Sequence, residues 1–230
     1  MIKFSFKTTI PVMLGYLFLG SAFGILLQQA GYSWPWALLM SAVIYAGSGQ
    51  FLLVGLLASG APLSAVAVLT LLINSRHIFY GLSFLDKFRD MGARFPYMAF
   101  SLTDETYSLL SSIKFPEGID SKRASFYIAL FNHSYWIIGS LLGSIIGPII
   151  PAGLVGVEFS MTALFVVLFV EHWKNSSSHI PSIIGLASGI LSIIIFGSEN
   201  FILQSLVVTS IILVLAEPFI AKREKVKAND

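Results

Sequence analysis

Eight runs of predominantly apolar residues divide this chain, and most of them are about as long as a membrane is thick. A helix rises about 1.5 Å per residue, so crossing about 30 Å of hydrocarbon takes about 20 apolar residues. Because 56% of the 230 residues are apolar and only 11% are charged, polar surface is too scarce to cover a water-soluble globule. The sequence therefore predicts an all-α, polytopic transmembrane helix bundle, organised as one domain over residues 1–230. The predicted spans are 8–28, 34–58, 62–85, 95–113, 125–150, 154–172, 181–196 and 200–219.

The number of crossings follows from charge and from the weakest runs. Lys3, Lys7 and four Lys and Arg residues within 222–227 predict cytoplasmic termini, because short cytoplasmic segments collect basic residues. Two termini on the same side require an even number of crossings, and eight crossings meet this requirement. A re-entrant 95–113 segment or a broken third segment would lower the number to seven or six. The basic loop 86–94 conflicts with the same rule, since the eight-span scheme places it outside.

Charged and polar side chains interrupt the third run, in the sequence Asn74-Ser75-Arg76-His77. An Arg within a membrane costs about 2.5 to 3.5 kcal/mol on an insertion scale, so it needs a partner or a wet cavity. The acidic pair Asp104-Glu105, embedded in the fourth run, is the predicted partner. In a continuous helix Arg76 would lie about 200° around from Asn74. Either Arg76 turns to another neighbour, or the helix breaks near Ser75 and brings these groups together.

The acidic pair has two predicted uses. A carboxylate beside a cation stays ionised, whereas one among lipid and hydroxyl groups favours its protonated form. Asp104 and Glu105 therefore suit either the holding of an ammonium group or the coupling of transport to protons. The alternative is a solvated loop or an interfacial helix, which the weak hydropathy of this run allows.

The second run contains Tyr45-Ala46-Gly47-Ser48-Gly49-Gln50. Two glycines weaken a helix in its middle, and exposed backbone groups are tolerated at membrane depth only where they line a cavity or are buried in protein. This pattern predicts a discontinuous helix on a substrate path. A packing notch, with Ser hydroxyls bonded back to their own helix, explains the same residues.

Small residues recur at fourfold spacing in the first and fifth runs and predict close helix packing. The pattern Tyr16-x3-Gly20-Ser21-x2-Gly24 recurs 119 residues later as Tyr135-x3-Gly139-Ser140-x2-Gly143. This similarity suggests an internal repeat, although residues so common in membrane helices also match by chance. The fifth run also carries a polar cluster at 132–136.

Several classes of function lack support in the sequence. The absence of cysteine excludes disulfides and thiol chemistry, and a net charge of +2 without a basic patch gives no reason to expect a nucleic-acid partner. The sequence contains no GxGxxG, Walker A, GxSxG or HExxH pattern. We therefore expect neither an enzyme nor a bound metal or cofactor.

Several motifs, taken in order, resemble the AzlC family of branched-chain amino acid transporters. The similarity is dense over about residues 11–110. The motifs are Gly20-Ser21-Ala22-Phe23-Gly24, Tyr45-Ala46-Gly47-Ser48-Gly49-Gln50-Phe51, Gly60-Ala61, Asn74-Ser75-Arg76-His77-Ile78-Phe79-Tyr80 and Thr103-Asp104-Glu105. The resemblance implies a permease of the bacterial cytoplasmic membrane that works with a small AzlD-type subunit and exports leucine, isoleucine, valine or their analogues.

A substrate site follows from the residues themselves. A zwitterionic amino acid needs a cation or helix N-terminus for its carboxylate, a carboxylate or carbonyls for its ammonium, and an apolar pocket. The predicted proton-coupling residues are His77, Asp104 and Glu105. The predicted substrate-binding residues are Tyr45, Gly47, Ser48, Gly49, Gln50, Asn74, Arg76 and Asp104. A permease for another small solute and a non-transporting membrane scaffold remain the alternatives.

Overall fold

The computed structural model describes residues 1–150, 178–197 and 207–216, with single or paired positions at 159–174 and 204–205. All regular structure within these residues is helical, as predicted. The chain divides into two compact units, Met1–Ala61 with Ile73–Met161 and Pro62–Leu72 with Thr162–Asp230. Much of the predicted span 154–172, the ends of 200–219 and the C-terminal basic residues lie outside the described residues. The single-domain assignment remains a prediction.

The first and fifth predicted spans are confirmed as long apolar helices. Among the described residues, α1 and α8 are long and apolar enough to cross a membrane, and α4 with α5 pass the same test only if they count as one span broken at Ser75. The helices are α1 (Ile2–Gln29), α2 (Trp34–Val43), α3 (Gly47–Ala58), α4 (Leu63–Asn74), α5 (Arg76–Arg89), α6 (Phe95–Phe100), α7 (Asp104–Ser112), α8 (Ser121–Ile146), α9 (Ile180–Phe196) and α10 (Val207–Ala216).

Helices α1 and α8 pack closely and run in the same direction. The Ser5 hydroxyl donates to the Ala124 carbonyl at 3.1 Å, and farther along both helices Gly143 lies against the backbone of Ser21. A Cβ atom at Gly143 would lie 1.9 Å from the Ser21 carbonyl oxygen. A Cβ atom at Gly24 would lie 2.1 Å from the Ser140 carbonyl oxygen of α8. The prediction that these glycines serve helix packing is therefore confirmed. The internal repeat remains a prediction.

The second predicted span is a hairpin and not one continuous helix. Its tip, at 44–46, places the Tyr45 ring 6.4 Å from the Tyr16 ring, in the middle of α1. Farther along α3, the Phe51 ring lies 6.0 Å from the Phe23 ring. Phe23 follows Tyr16 by seven residues and is therefore closer to the C-terminal end of α1. Helix α3 thus returns to the end of α1 from which α2 started. We call this end of α1 and α8 the C-terminal end, and the opposite one the N-terminal end.

The fourth predicted span is a second hairpin, which enters from the opposite end. Before α6, the Arg94 guanidinium lies 5.5 Å from the Phe126 ring near the start of α8. After α7, the Phe115 ring lies 6.2 Å from Phe4 near the start of α1. Helices of six and nine residues are too short to cross a bilayer. This geometry favours the re-entrant alternative and fewer than eight crossings, although the total number remains a prediction.

The basic loop 86–94 lies at the N-terminal end of α1 and α8. There the Lys122 ammonium donates to the Asp90 carbonyl at 2.9 Å and lies 3.8 Å from its carboxylate. The loop therefore shares an end with Lys3 and Lys7, and its conflict with the positive-inside rule disappears. The cytoplasmic assignment of that end remains a prediction.

Candidate functional site

Three interruptions of helical structure meet in the middle of the first unit. They are the tip 44–46 of the α2–α3 hairpin, the break at Ser75, and the tip 101–103 of the α6–α7 hairpin. Helices α3, α5 and α7 each begin directly after one of them. Because the first turn of a helix presents unpaired N–H groups and a partial positive charge, this arrangement favours a negatively charged group nearby.

Arg76 finds its partner in Asp104, as the sequence predicted. Its Nη2 atom donates to Asp104 Oδ2 at 2.9 Å and to the Ser48 hydroxyl. Of the two alternatives for Arg76, the structure shows the break at Ser75, which allows Asn74, Arg76 and His77 to reach one region. The side chains of Arg76 and Asp104 keep 30% and 21% of their exposure, so the ion pair remains accessible.

The same two side chains also carry unsatisfied polar atoms. Arg76 Nε and Asp104 Oδ1 are buried and have no hydrogen-bond partner among the described residues. His77 Nε2 lies 3.9 Å from Asp104 Oδ1, beyond hydrogen-bond distance. A buried polar atom without a partner costs about 1 to 3 kcal/mol. Here the pair offers a cationic donor and an anionic acceptor side by side, which suits a ligand carrying one carboxylate and one ammonium group.

Gly47 and Gly49 do not form the break that the sequence predicted at them. The break lies just before them, and both belong to the first turn of α3. A Cβ atom at Gly49 would lie 2.9 Å from Asn74 Nδ2, and one at Gly47 would lie 3.3 Å from the Trp136 ring. Their lack of a side chain lets neighbouring groups approach. The Asn74 amide therefore packs directly on α3, and its Oδ1 atom has no partner among the described residues.

Tyr45 supplies the interruption instead. Its φ of 45° lies in the left-handed region, which costs a non-glycine residue about 1 to 3 kcal/mol. Its buried ring stacks on His133 with centroids 4.2 Å apart and lies 6.2 Å from the Phe100 ring of the opposing hairpin. These contacts hold the strained tip against α8 and against the opposing hairpin.

Gln50 fastens the tip of the α2–α3 hairpin to α8. Its Oε1 atom accepts from the Ala46 amide at 3.2 Å and from Trp136 Nε1 at 2.9 Å. Its Nε2 atom donates to the Ser41 hydroxyl at 3.4 Å, and the side chain is fully buried. These bonds give both polar atoms of the Gln50 side chain partners within the protein. Its predicted contact with substrate remains a prediction.

Glu105 lies beside Asp104 in sequence but has different partners. The Tyr16 hydroxyl donates to Glu105 Oε2 at 2.6 Å. Within the described residues Glu105 forms no ion pair. The two neighbouring carboxylates therefore have different environments. Asp104 forms an ion pair with Arg76, whereas Glu105 accepts a hydrogen bond from the neutral Tyr16 hydroxyl.

Sequence reasoning missed the residues that support the site from α1 and α8. His133 contacts the Ser41 carbonyl through Nε2 and the Tyr97 hydroxyl through Nδ1, both at 3.1 Å. The polar cluster at 132–136 was the available signal for His133 and Trp136. Tyr16 gave no signal beyond its place in the repeated pattern of an apolar run. In the described part of the chain, no group of His, Asp and Glu is arranged to hold a metal ion.

Comparisons with known proteins identify the family to which this chain belongs. The model of the AzlC protein family matches residues 11–150. The branched-chain amino acid transport protein AzlC of Bacillus subtilis strain 168 is 38% identical over 93% of this chain and 85% of its own length. An uncharacterized membrane protein of Helicobacter pylori strain 26695 is 44% identical over 93% of both chains. The inner membrane protein YgaZ of Escherichia coli K12 is 27% identical over 75% of this chain and 73% of its own. No solved structure matches the chain.

Proposed function

Because the chain belongs to the AzlC family of membrane transport proteins, we propose that it carries branched-chain amino acids across the bacterial cytoplasmic membrane. The observation that supports this most strongly is the ion pair of Arg76 and Asp104, each with one unsatisfied polar atom. The name of the Bacillus subtilis relative supplies the substrate class.

The two ends of a zwitterionic amino acid fit the two unsatisfied atoms. Its carboxylate accepts from Arg76 Nε, close to the N-termini of α3 and α5, which favour negative charge. Its ammonium donates to Asp104 Oδ1. Hydrogen bonds to charged groups are among the stronger ones, each contributing about 1.5 to 3 kcal/mol. The rings of Tyr45 and Phe100 provide apolar surface for the branched side chain.

The two opposing hairpins suit alternating access. The α2–α3 hairpin reaches the site from the C-terminal end of α1 and α8, and the α6–α7 hairpin reaches it from the N-terminal end. Movement of one hairpin opens the site to one side while the other keeps it closed. Transporters commonly place discontinuous helices around a central site for this purpose.

Export, proton coupling and a small AzlD-type partner subunit complete the proposal. Glu105 is the favoured proton carrier, because Asp104 is paired with Arg76 while Glu105 forms no ion pair within the described residues and accepts from the Tyr16 hydroxyl. His77, beside Asp104, is the second candidate.

The test is efflux of labelled leucine, isoleucine and valine from bacteria that lack their own exporters. The chain is expressed alone and with its small partner, and membrane levels are measured in parallel. Arg76→Ala and Asp104→Asn should abolish efflux at normal membrane levels. Arg89→Ala and Asp86→Asn are matched controls, because they remove the same charges from exposed positions near the end of α5.

Two results would count against the proposal. Efflux unimpaired by Arg76→Ala or Asp104→Asn would remove that residue from the site. No movement of any branched-chain amino acid, despite insertion together with the partner, would favour another small solute or a scaffold role.

A further inference from the structure

A continuous chain of hydrogen-bonding groups leads away from Glu105. The Tyr16 hydroxyl, which donates to Glu105, also lies 2.7 Å from Thr103 Oγ1. Thr103 Oγ1 lies 3.2 Å from Thr106 Oγ1, and Thr106 accepts from Asn132 Nδ2 at 3.0 Å. Tyr16 is at the middle of α1, Thr103 and Thr106 are at the start of α7, and Asn132 is on α8. All four residues are buried.

The hydrogens of this chain can be arranged for an ionised Glu105. A carboxylate only accepts, so the single Tyr16 hydrogen must point at Glu105. The oxygen of Tyr16 then accepts from Thr103, whose single hydrogen is no longer available to Thr106. The amide Nδ2 of Asn132 only donates, and it completes the chain at Thr106.

Protonation of Glu105 reverses the direction of hydrogen-bond donation from Glu105 to Thr103. The new carboxyl hydrogen points at the Tyr16 oxygen, so the Tyr16 hydrogen turns to Thr103. Thr103 then donates to Thr106. No atom moves except rotating hydrogens, and the bond from Thr103 to Thr106 forms only in this state. A hydroxyl at position 16 is essential to this exchange, because it both donates and accepts.

We propose that Tyr16 is the positioning residue that sets when Glu105 holds a proton, and that it passes the change to Thr103. This inference rests on the proposed role of Glu105 in proton coupling. Thr103 is also the N-cap of α7, where its Oγ1 accepts from the Thr106 amide. Reversal of the chain at Thr103 therefore reaches the first turn of α7, which contains Asp104 and its bond to Arg76.

Other charged and titratable groups near Glu105 are shared by all the test variants. They are the Tyr45 hydroxyl, the adjacent Asp104 carboxylate and, through Asp104, the side chains of Arg76, His77 and Tyr80. The Tyr16→Phe substitution leaves these groups in place and removes one donor.

The experiment is an infrared titration of the purified full chain in detergent. The stretching band of the protonated carboxyl is followed against pH, and the part that disappears in Glu105→Gln is assigned to Glu105. In Tyr16→Phe the carboxylate loses a hydrogen bond to its charged form. We expect the midpoint to move to higher pH by about one to two units.

Tyr135→Phe is the matched control. Tyr135 is the counterpart of Tyr16 in the repeated sequence pattern, is buried on α8, and shares a hydrogen bond of 3.1 Å with the Thr9 hydroxyl. The same atom is removed, but no carboxylate is involved, so the midpoint should stay at the wild-type value. Thr103→Ser should keep the wild-type midpoint and Thr103→Val should shift it, because serine retains the hydroxyl.

The outcomes separate this inference from the proposed function. An unchanged midpoint in Tyr16→Phe, an equal shift in Tyr135→Phe, or no titrating band assignable to Glu105 would each overturn the inference. Transport itself is not needed for the titration. Efflux in Glu105→Gln that is still lost on collapsing the proton gradient would instead count against the proposed coupling, whatever the infrared midpoint shows.

Discussion

Asp104, the first residue of α7, accepts a hydrogen bond of 2.9 Å from Arg76, the first residue of α5. Each residue follows an interruption of its own segment, so the bond joins the α6–α7 hairpin to the broken segment at Ser75. A lone charge at this depth would be costly, and pairing reduces that cost. The remaining Arg76 Nε and Asp104 Oδ1 atoms are buried and have no hydrogen-bond partner among the described residues.

Arg76→Lys should weaken substrate binding although it preserves the positive charge. Lysine keeps an attraction to Asp104 but has no planar guanidinium and no Nε donor. Loss of one hydrogen bond to a carboxylate predicts about 10- to 100-fold weaker binding. The measurement is the equilibrium binding of labelled leucine to purified protein, with Arg89→Lys as the control. Wild-type affinity in Arg76→Lys would rule out a role for Nε.

Gly49→Ala should impair transport and lower thermal stability. The new methyl group would lie 2.9 Å from Asn74 Nδ2, and overpacking of this kind costs about 1 to 3 kcal/mol. Gly55→Ala is the control on the same helix, because no atom lies within 4 Å of a Cβ there. Thermal unfolding in detergent and leucine efflux are measured for both. Equal behaviour of the two variants would show that Asn74 does not need the space at Gly49.

Gly24→Ala should disrupt the packing of α1 on α8. Its Cβ would lie 2.1 Å from the Ser140 carbonyl oxygen, a backbone atom that cannot turn away. Gly15→Ala, also on α1, meets no atom within 4 Å and should be tolerated. We expect a lower melting temperature and a lower membrane level for Gly24→Ala alone. Full tolerance of that substitution would contradict the close parallel pairing.

If the α6–α7 hairpin is re-entrant, a specific cross-link is expected. The chain contains no cysteine, so paired substitutions report without background. Phe4→Cys with Phe115→Cys should cross-link through a short bifunctional thiol reagent, because the two rings are 6.2 Å apart. Phe18→Cys with Phe115→Cys should not, since Phe18 lies about 21 Å farther along α1. Cross-linking is read by mass spectrometry as two peptides joined by the reagent, and the reverse pattern would mean that 95–113 crosses the membrane.

The sequence predicted the composition of the site better than its geometry. The cost of Arg76 in an apolar run required a partner, and Asp104-Glu105 was the close acidic pair available. A break near Ser75 was one of two alternatives, because it would bring Asn74 and Arg76 to one side. These predictions depend on charge and on helical period, which are local properties of the chain.

The course of the hairpins could not be predicted in the same way. An apolar run such as 34–58 has the same composition whether it crosses the membrane or turns back, and only the packing of Phe51 on Phe23 decides. The glycines at 47 and 49 were interpreted as a break because their use in close approach depends on Trp136 and Asn74, which lie far away in sequence. The contact of Tyr16 with Glu105 was missed for the same reason, because the two residues lie far apart in sequence.

Binding of leucine and of its singly charged analogues tests the central claim most directly. Purified protein with its small partner is titrated with leucine, with 4-methylpentanoate, which lacks the ammonium group, and with 3-methylbutylamine, which lacks the carboxylate. Leucine should bind wild-type protein at least about tenfold more tightly than either analogue. Arg76→Ala should remove its advantage over the amine, and Asp104→Asn its advantage over the acid. Equal binding of all three compounds, or an unchanged preference in both variants, would contradict the account.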